Sequence, residues 1–194
     1  MSSPRVAVLL SLLLASAAPG AEAPPLGQAV LPELTLQGTS GGAFPLRETA
    51  RKARFTVLVF FSATCPCLEA HDQRLVALAR AQAPGEVQVL AVDSESGASL
   101  EQDRAEARRR GYPFPILLDP GGQLARAVGA VFATTTVVVD AEGRLLFRGG
   151  IDSAKREFKP DARPWLQDAL EALLRGQAPD PAEPKTLGCF LRLG

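Results

Sequence analysis

The stretch RFTVLVFFSA, from Arg54 to Ala63, constrains the fold more than any other part of the chain. Between Phe55 and Phe61 it carries no charge, and it is rich in β-branched and aromatic residues. A strand with one wet face would alternate apolar and polar residues, whereas this run has no polar face. It therefore predicts a strand buried on both sides, at the centre of a sheet covered by layers above and below. Directly behind it stands TCPCLEAH, Thr64 to His71, with two of the three cysteines and the single histidine of the chain.

The flanking segments supply the rest of such a sheet. LPELTLQGTSGGAFPLRE predicts a short hairpin turning at Gly41-Gly42, and EVQVLAVDSES a second buried strand. Residues 66–82 carry apolar positions at helical spacing (Leu68, Leu75, Leu78, Ala79). SLEQDRAEARRRG predicts a charged helix ended by Gly111, with DRAEARRR as a solvated face of alternating charge. YPFPILLDPGG predicts a strand and turn leading into the helix QLARAVGA. ATTTVVVDAEGRLLFRGG predicts a hairpin through its D-A-E-G turn. PWLQDALEALLRG predicts a last helix, with Pro164 near its start and Gly176 past its end. This order of strands, helices and terminal hairpin predicts an α/β sandwich with a mixed sheet.

The chain is long enough for one such domain at 194 residues, with 21 basic and 21 acidic side chains and zero formal charge. That balance argues against a nucleic-acid partner, which calls for a basic surplus. At the N-terminus, MSSPR precedes the uncharged run VAVLLSLLLASAA. This run falls short of the roughly 20 apolar residues a membrane helix needs, and it suits the core of a signal peptide. The expected organisation is a signal peptide over residues 1–23, a linker over 24–32, a domain over 33–176, and a proline-rich arm over 177–194 carrying Cys189. Export to a periplasmic or extracellular setting follows, with membrane contact only through an uncleaved signal segment.

Thr64 or Cys65 ends the buried strand, and Pro66 stands where a helix should begin, the position proline favours. Cys65 then falls at or near the N-cap. There the free N–H groups and the helix dipole favour a thiolate, so a depressed thiol pKa is the expectation for Cys65. Cys67 lies two residues on, and side chains at i and i+2 point away from each other on a helix. A Cys65–Cys67 disulfide is thus open to strain, and Cys189 is the other candidate to resolve Cys65 or to bridge Cys67. Ser62 lies close enough in sequence to hydrogen-bond near the thiol. His71 is open to two readings: an ordinary helix residue, or the third member of a soft-metal set with Cys65 and Cys67.

VFFSATCPC, VQVLAVDSES, YPFPILLDPGGQLARAVGA and TTTVVVDAEGRLLFRGG, in this order, resemble the thioredoxin-fold superfamily. The similarity is to its redoxin branch of TlpA/ResA-type thiol-disulfide oxidoreductases and AhpC/TSA peroxiredoxin-like proteins. The resemblance implies a thioredoxin-like three-layer sandwich, with a central mixed sheet flanked by helices. It aligns Cys65 with the attacking cysteine and Ser62 with a peroxiredoxin-type hydroxyl. It places Thr134 or Thr135 where the cis-proline facing the active site stands in that superfamily. Thr64, Val59 and Leu58 depart from the tryptophan, buried acid and proline of the two branches.

The function so implied is thiol-disulfide exchange through Cys65, with Cys67 or Cys189 resolving, no bound cofactor, protein disulfides as substrates and an external thiol as reductant. A thiol peroxidase acting on peroxide is the alternative. Cu(I) binding and delivery is a second one.

Overall fold

The computed structural model describes residues 23–194, so the expected signal peptide lies almost entirely outside the described residues. A seven-stranded mixed sheet forms the middle layer, in the order β2-β1-β5-β4-β3-β7-β8. Its strands are β1 (Thr35–Gly38), β2 (Ala43–Pro45), β3 (Phe55–Phe61), β4 (Val87–Asp93), β5 (Ile116–Leu118), β7 (Thr136–Asp140) and β8 (Leu145–Gly149). A separate pair joins β6 (Phe132–Ala133) to β9 (Cys189–Phe190). The helices are α1 (Leu46–Ala50), α2 (Pro66–Glu69), α3 (Asp72–Ala81), α4 (Leu100–Arg110), α5 (Gln123–Val128) and α6 (Trp165–Leu174).

β3 is central and wholly buried, as its composition requires. It pairs parallel with β4 from Phe55↔Val87 to Phe61↔Asp93, and antiparallel with β7 on its other side. Its side chains alternate between two cores. Phe55, Val57, Val59 and Phe61 enter one with Leu75 of α3 and Leu166, Leu170 and Leu173 of α6. Leu58 and Phe60 enter the other with α1 (Leu46, Ala50) and α5 (Leu124, Ala125, Val128).

The expected hairpins form at β1–β2 and β7–β8. The helix over 100–110 is capped by the Ser99 hydroxyl and ends at Gly111, whose positive φ of 65° explains the glycine. The segment read as a linker is part of the fold. Val30 and Leu31 are buried, Ala29 bridges to Arg144, and Val30 N–H donates to the Gly143 carbonyl. Its two apolar side chains complete the core on the α1/α5 side.

Two expectations fail for physical reasons. The helix read over residues 66–82 breaks into α2 and α3 at Ala70-His71. His71 is buried, and its Nδ1 lies 3.1 Å from Oδ2 of Asp152, in the segment after β8. Arg74 Nε reaches the same oxygen at 2.7 Å, and the Ala154 N–H donates to Oδ1 at 2.7 Å. This tie makes His71 the N-terminal flank of α3 and pins the helix to the α6 side of the domain.

The second concerns the solvated face expected of α4, which Arg104, Arg108 and Arg109 do form, but not all of the charged run. Asp103 and Arg110 are buried. Arg110 ion-pairs with Glu106 (3.0 Å) and Asp72 (3.4 Å), and its guanidinium lies over the Phe61 ring. Neither Asp103 oxygen has a hydrogen-bond donor. Burial, then the neighbouring Asp93 carboxyl, pushes the Asp103 pKa well up, and burial raises Asp93 as well. A proton retained by the pair avoids two adjacent buried charges.

Both carboxyl clusters set the pH dependence of stability, with opposite signs. For Asp103 the folded pKa is raised, so its contribution is present at low pH and lost as pH rises through the raised value. Asp103→Asn is expected to gain stability over wild type between pH 5 and pH 9, by on the order of 2 kcal/mol. A urea-denaturation difference that does not change with pH would contradict this. For Asp152, burial is outweighed by the His71 hydrogen bond, the Ala154 N–H and the Arg74 charge, and its pKa is lowered. Its contribution is therefore present above the ordinary carboxylate range and lost as pH falls through the lowered value. Asp152→Asn should cost about 3 kcal/mol at pH 7. The deficit should shrink below about pH 4; equal deficits at pH 7 and pH 3 would contradict it.

Candidate functional site

The C-terminal end of β3 delivers the chain into Ser62-Ala63-Thr64, and a turn closes where the Cys65 N–H donates to the Ser62 carbonyl at 3.2 Å. Cys65 is the N-cap of α2 with extended backbone (φ −90°, ψ 105°), and Pro66 is the first helical residue. Glu69 N–H donates to the Cys65 carbonyl at 3.3 Å, which starts the helix. The strand–Pro–helix junction read from sequence is thus the local structure, although α2 lasts only one turn. Arg110 Nη2 donates to the Ala63 carbonyl at 3.2 Å and steadies the turn from α4. The sequence pattern hid this role, because a buried arginine inside a charged run reads as a surface residue.

Cys65 and Cys67 are each only 2% exposed and belong to the α3/α6 core. Cys189 is half-buried and packs against that core. The three sulfurs all lie within 4.8 Å of one another, and all three cysteines are free thiols. Cys65 Sγ donates to the Ala133 carbonyl of β6 at 3.5 Å. Burial, then hydrogen bonding with Cys65, pushes the Cys189 thiol up to about 12. The group is a closed sulfur cluster. A groove of about 530 Å³, lined among others by Leu78, Phe158 and Leu170 between α3 and α6, includes none of the three cysteines.

The arm reaches this position by crossing the molecule. Arg148 N–H donates to the Ala182 carbonyl at 3.1 Å, and the Arg148 guanidinium pairs with Glu183. Thr134 Oγ1 then donates to the Leu187 carbonyl at 3.2 Å. β9 pairs antiparallel with β6, Ala133 opposite Cys189 and Phe132 opposite Phe190, with the two rings 4.6 Å apart. Beyond it, Leu191 N–H donates to the Val131 carbonyl at 2.9 Å, and Arg192 Nε donates to Glu95 at 2.9 Å.

The other residues singled out from sequence take different places. Ser62 is buried, and its Oγ lies 3.4 Å from the Thr64 hydroxyl. Thr134 sits on the β6 loop beside the cluster and anchors the arm. His71 stays outside the sulfur group, committed to Asp152, so the set Cys65, Cys67 and His71 is replaced by Cys65, Cys67 and Cys189. Gly188 escaped sequence reading. A Cβ there would overlap the Thr134 hydroxyl, so only glycine lets the arm lie this close to β6. The glycine before Cys189 was the available signal, but its meaning depends on a contact with a residue 54 positions earlier.

The arrangement can do thiol chemistry. One thiol stands at a helix start, a second lies two residues on in the same helix, and a third is brought by the arm.

Solved structures share this architecture. An uncharacterized conserved protein from Geobacillus kaustophilus is 26% identical, with a TM-score of 0.78, covering 88% of this chain and 93% of that one. A hypothetical protein from Sinorhizobium meliloti 1021 is also 26% identical, with a TM-score of 0.79 and coverage of 89% and 97%. The thioredoxin domain of a thiol-disulfide oxidoreductase from Bacteroides vulgatus has a TM-score of 0.56 at 14% identity, covering 69% and 91%, which shows the thioredoxin-like fold. A comparison with curated proteins finds no match. The AhpC/TSA family model matches residues 27–148, from the segment that completes the core through β8, and the chain belongs to that family.

Proposed function

We propose that the protein is an exported thiol-disulfide oxidoreductase in which Cys65 is the nucleophile and Cys189 the resolving thiol. The observation that carries this reading is the convergence of Cys189 on Cys65 and Cys67, from a sequence position more than a hundred residues away. Membership of a redoxin family supports oxidoreductase chemistry.

The Cys65 thiolate attacks one sulfur of a protein disulfide, forming a mixed disulfide and releasing the other sulfur as a thiolate. The thiolate released in the first step takes the proton of the Cys189 thiol as Cys189 attacks Cys65 Sγ, forming Cys65–Cys189 and releasing the substrate's second thiolate. An external dithiol reduces Cys65–Cys189 and is itself oxidised. Cys67 is the poorer resolving group, because a disulfide across the single residue Pro66 would distort the first turn of α2. Cys65 is nearly inaccessible with the arm in place, so the arm must lift for a substrate to reach it.

Peptide mapping after oxidation with a model disulfide is expected to find Cys65–Cys189 linked and Cys67 free. Cys65→Ser should abolish insulin-disulfide reduction, while Cys189→Ser should accumulate the mixed disulfide and slow turnover at least about tenfold. Full activity in Cys65→Ser would overturn the reading, and a Cys65–Cys67 linkage would remove Cys189 from it. If peroxide, and not protein disulfides, turns the enzyme over through a trappable sulfenic acid on Cys65, the peroxidase reading replaces it.

Gly188→Ala tests the arm without touching a thiol. The added methyl displaces the arm from Thr134, so formation of Cys65–Cys189 should slow by about 10–100-fold while Cys65 alkylation speeds up. Unchanged rates of both would contradict the placement of the arm.

A further inference from the structure

The sulfur cluster is also a ligand set. We propose that the fully reduced protein binds one Cu(I) ion through the Sγ atoms of Cys65, Cys67 and Cys189. This site needs only three reduced thiols and stands whether or not the protein turns over disulfides.

Geometry is the first argument. Three sulfurs about 2.3 Å from a common ion in a trigonal plane lie about 4 Å from one another. Those of Cys65, Cys67 and Cys189 already lie within 4.8 Å of one another, so small side-chain rotations close the site. The sulfurs of Cys65 and Cys67 are unbonded and near each other on one short helix start, which leaves the space between them to an ion. Cys189 rides on a two-residue strand, which leaves it free to adjust while α2 holds the other two.

Donor chemistry selects the ion. Among the described residues, no imidazole or carboxylate joins the three sulfurs in the cluster. An all-sulfur set favours soft ions over Mg²⁺, Ca²⁺ or Mn²⁺. Structural zinc takes four ligands, and the chain's single histidine is buried against Asp152. A three-coordinate site for Cu(I) needs no fourth ligand.

The surroundings agree. Cys65 and Cys67 sit among Leu68, Ala133 and other apolar side chains, which keeps water from competing for the ion. Half-buried Cys189 is the side from which an ion enters or leaves. Each thiol that coordinates as thiolate releases one proton to solvent, and no electron changes hands.

The test is an oxygen-free titration of the reduced protein with Cu(I) against bathocuproine disulfonate, with X-ray absorption to count sulfur neighbours. Expected are one Cu(I) per chain with three sulfurs, binding at least about tenfold weaker in Cys189→Ser with a fall to two sulfurs, and unchanged binding in His71→Gln. Folding of each variant is checked by circular dichroism, and Cys189→Ser lies on the arm outside the main sheet. Wild-type affinity in Cys189→Ser overturns the proposal, as does a stoichiometry well below one. Weakened binding in folded His71→Gln overturns it in favour of a histidine ligand. Zn²⁺ held as tightly as Cu(I) overturns the choice of ion. None of these readouts depends on disulfide turnover, so this proposal and the redox reading fail separately.

Discussion

β3 has no solvent face, and the architecture is organised around that fact. Each of its buried aliphatic and aromatic side chains contributes roughly 1.5–3 kcal/mol by leaving water, but only if a layer covers each side. Helices α3 and α6 supply one cover, and α1 and α5 the other, joined by the 27–31 segment. β3 is paired with β4 to its last residue and with β7 as far as Val59. Beyond Val59 the Phe60 N–H continues to the Thr135 carbonyl, so the turn that follows starts from a fixed end. Cys65 is therefore held by the best-buried strand of the molecule.

The secondary elements that could be read from sequence were those decided by local signals. β3 and β4 announce themselves by continuous apolar runs, the β7–β8 hairpin by its turn, and α4 by its terminal glycine. The redoxin resemblance and the junction at Cys65 rest on the same local signals. Long-range partners decided the rest. The break before α3 exists because His71 meets Asp152, 81 residues later. Asp103 and Arg110 look like surface charges until α4 is laid against β3 and β4. Val30 and Leu31 looked like linker because their burial depends on a hairpin more than a hundred residues on.

The candidate site divides in the same way. The candidacy of Cys65 and the short spacing to its i+2 neighbour are local features. That Cys189 arrives at the cluster depends on the register of β6 against β9, which no local pattern encodes. Thr134 and Gly188 make that register possible, one by donating to the arm's backbone and the other by having no side chain in the way. Thr134, one of the two threonines that the resemblance sets at the cis-proline position, thus holds a segment of its own chain.

The closeness of Cys189 to Cys65 has a kinetic meaning. A thiol tethered within 4.8 Å of its target competes at an effective concentration that no small thiol in solution reaches. In the proposed mechanism, any adduct on Cys65, whether a partner's sulfur or a single oxygen, would meet that competitor once the arm settles back. Adducts of this kind are then transient by construction. In that mechanism the same proximity would shield the cysteine from the irreversible upper steps of sulfur oxidation, because a neighbour from the same chain would intercept the first.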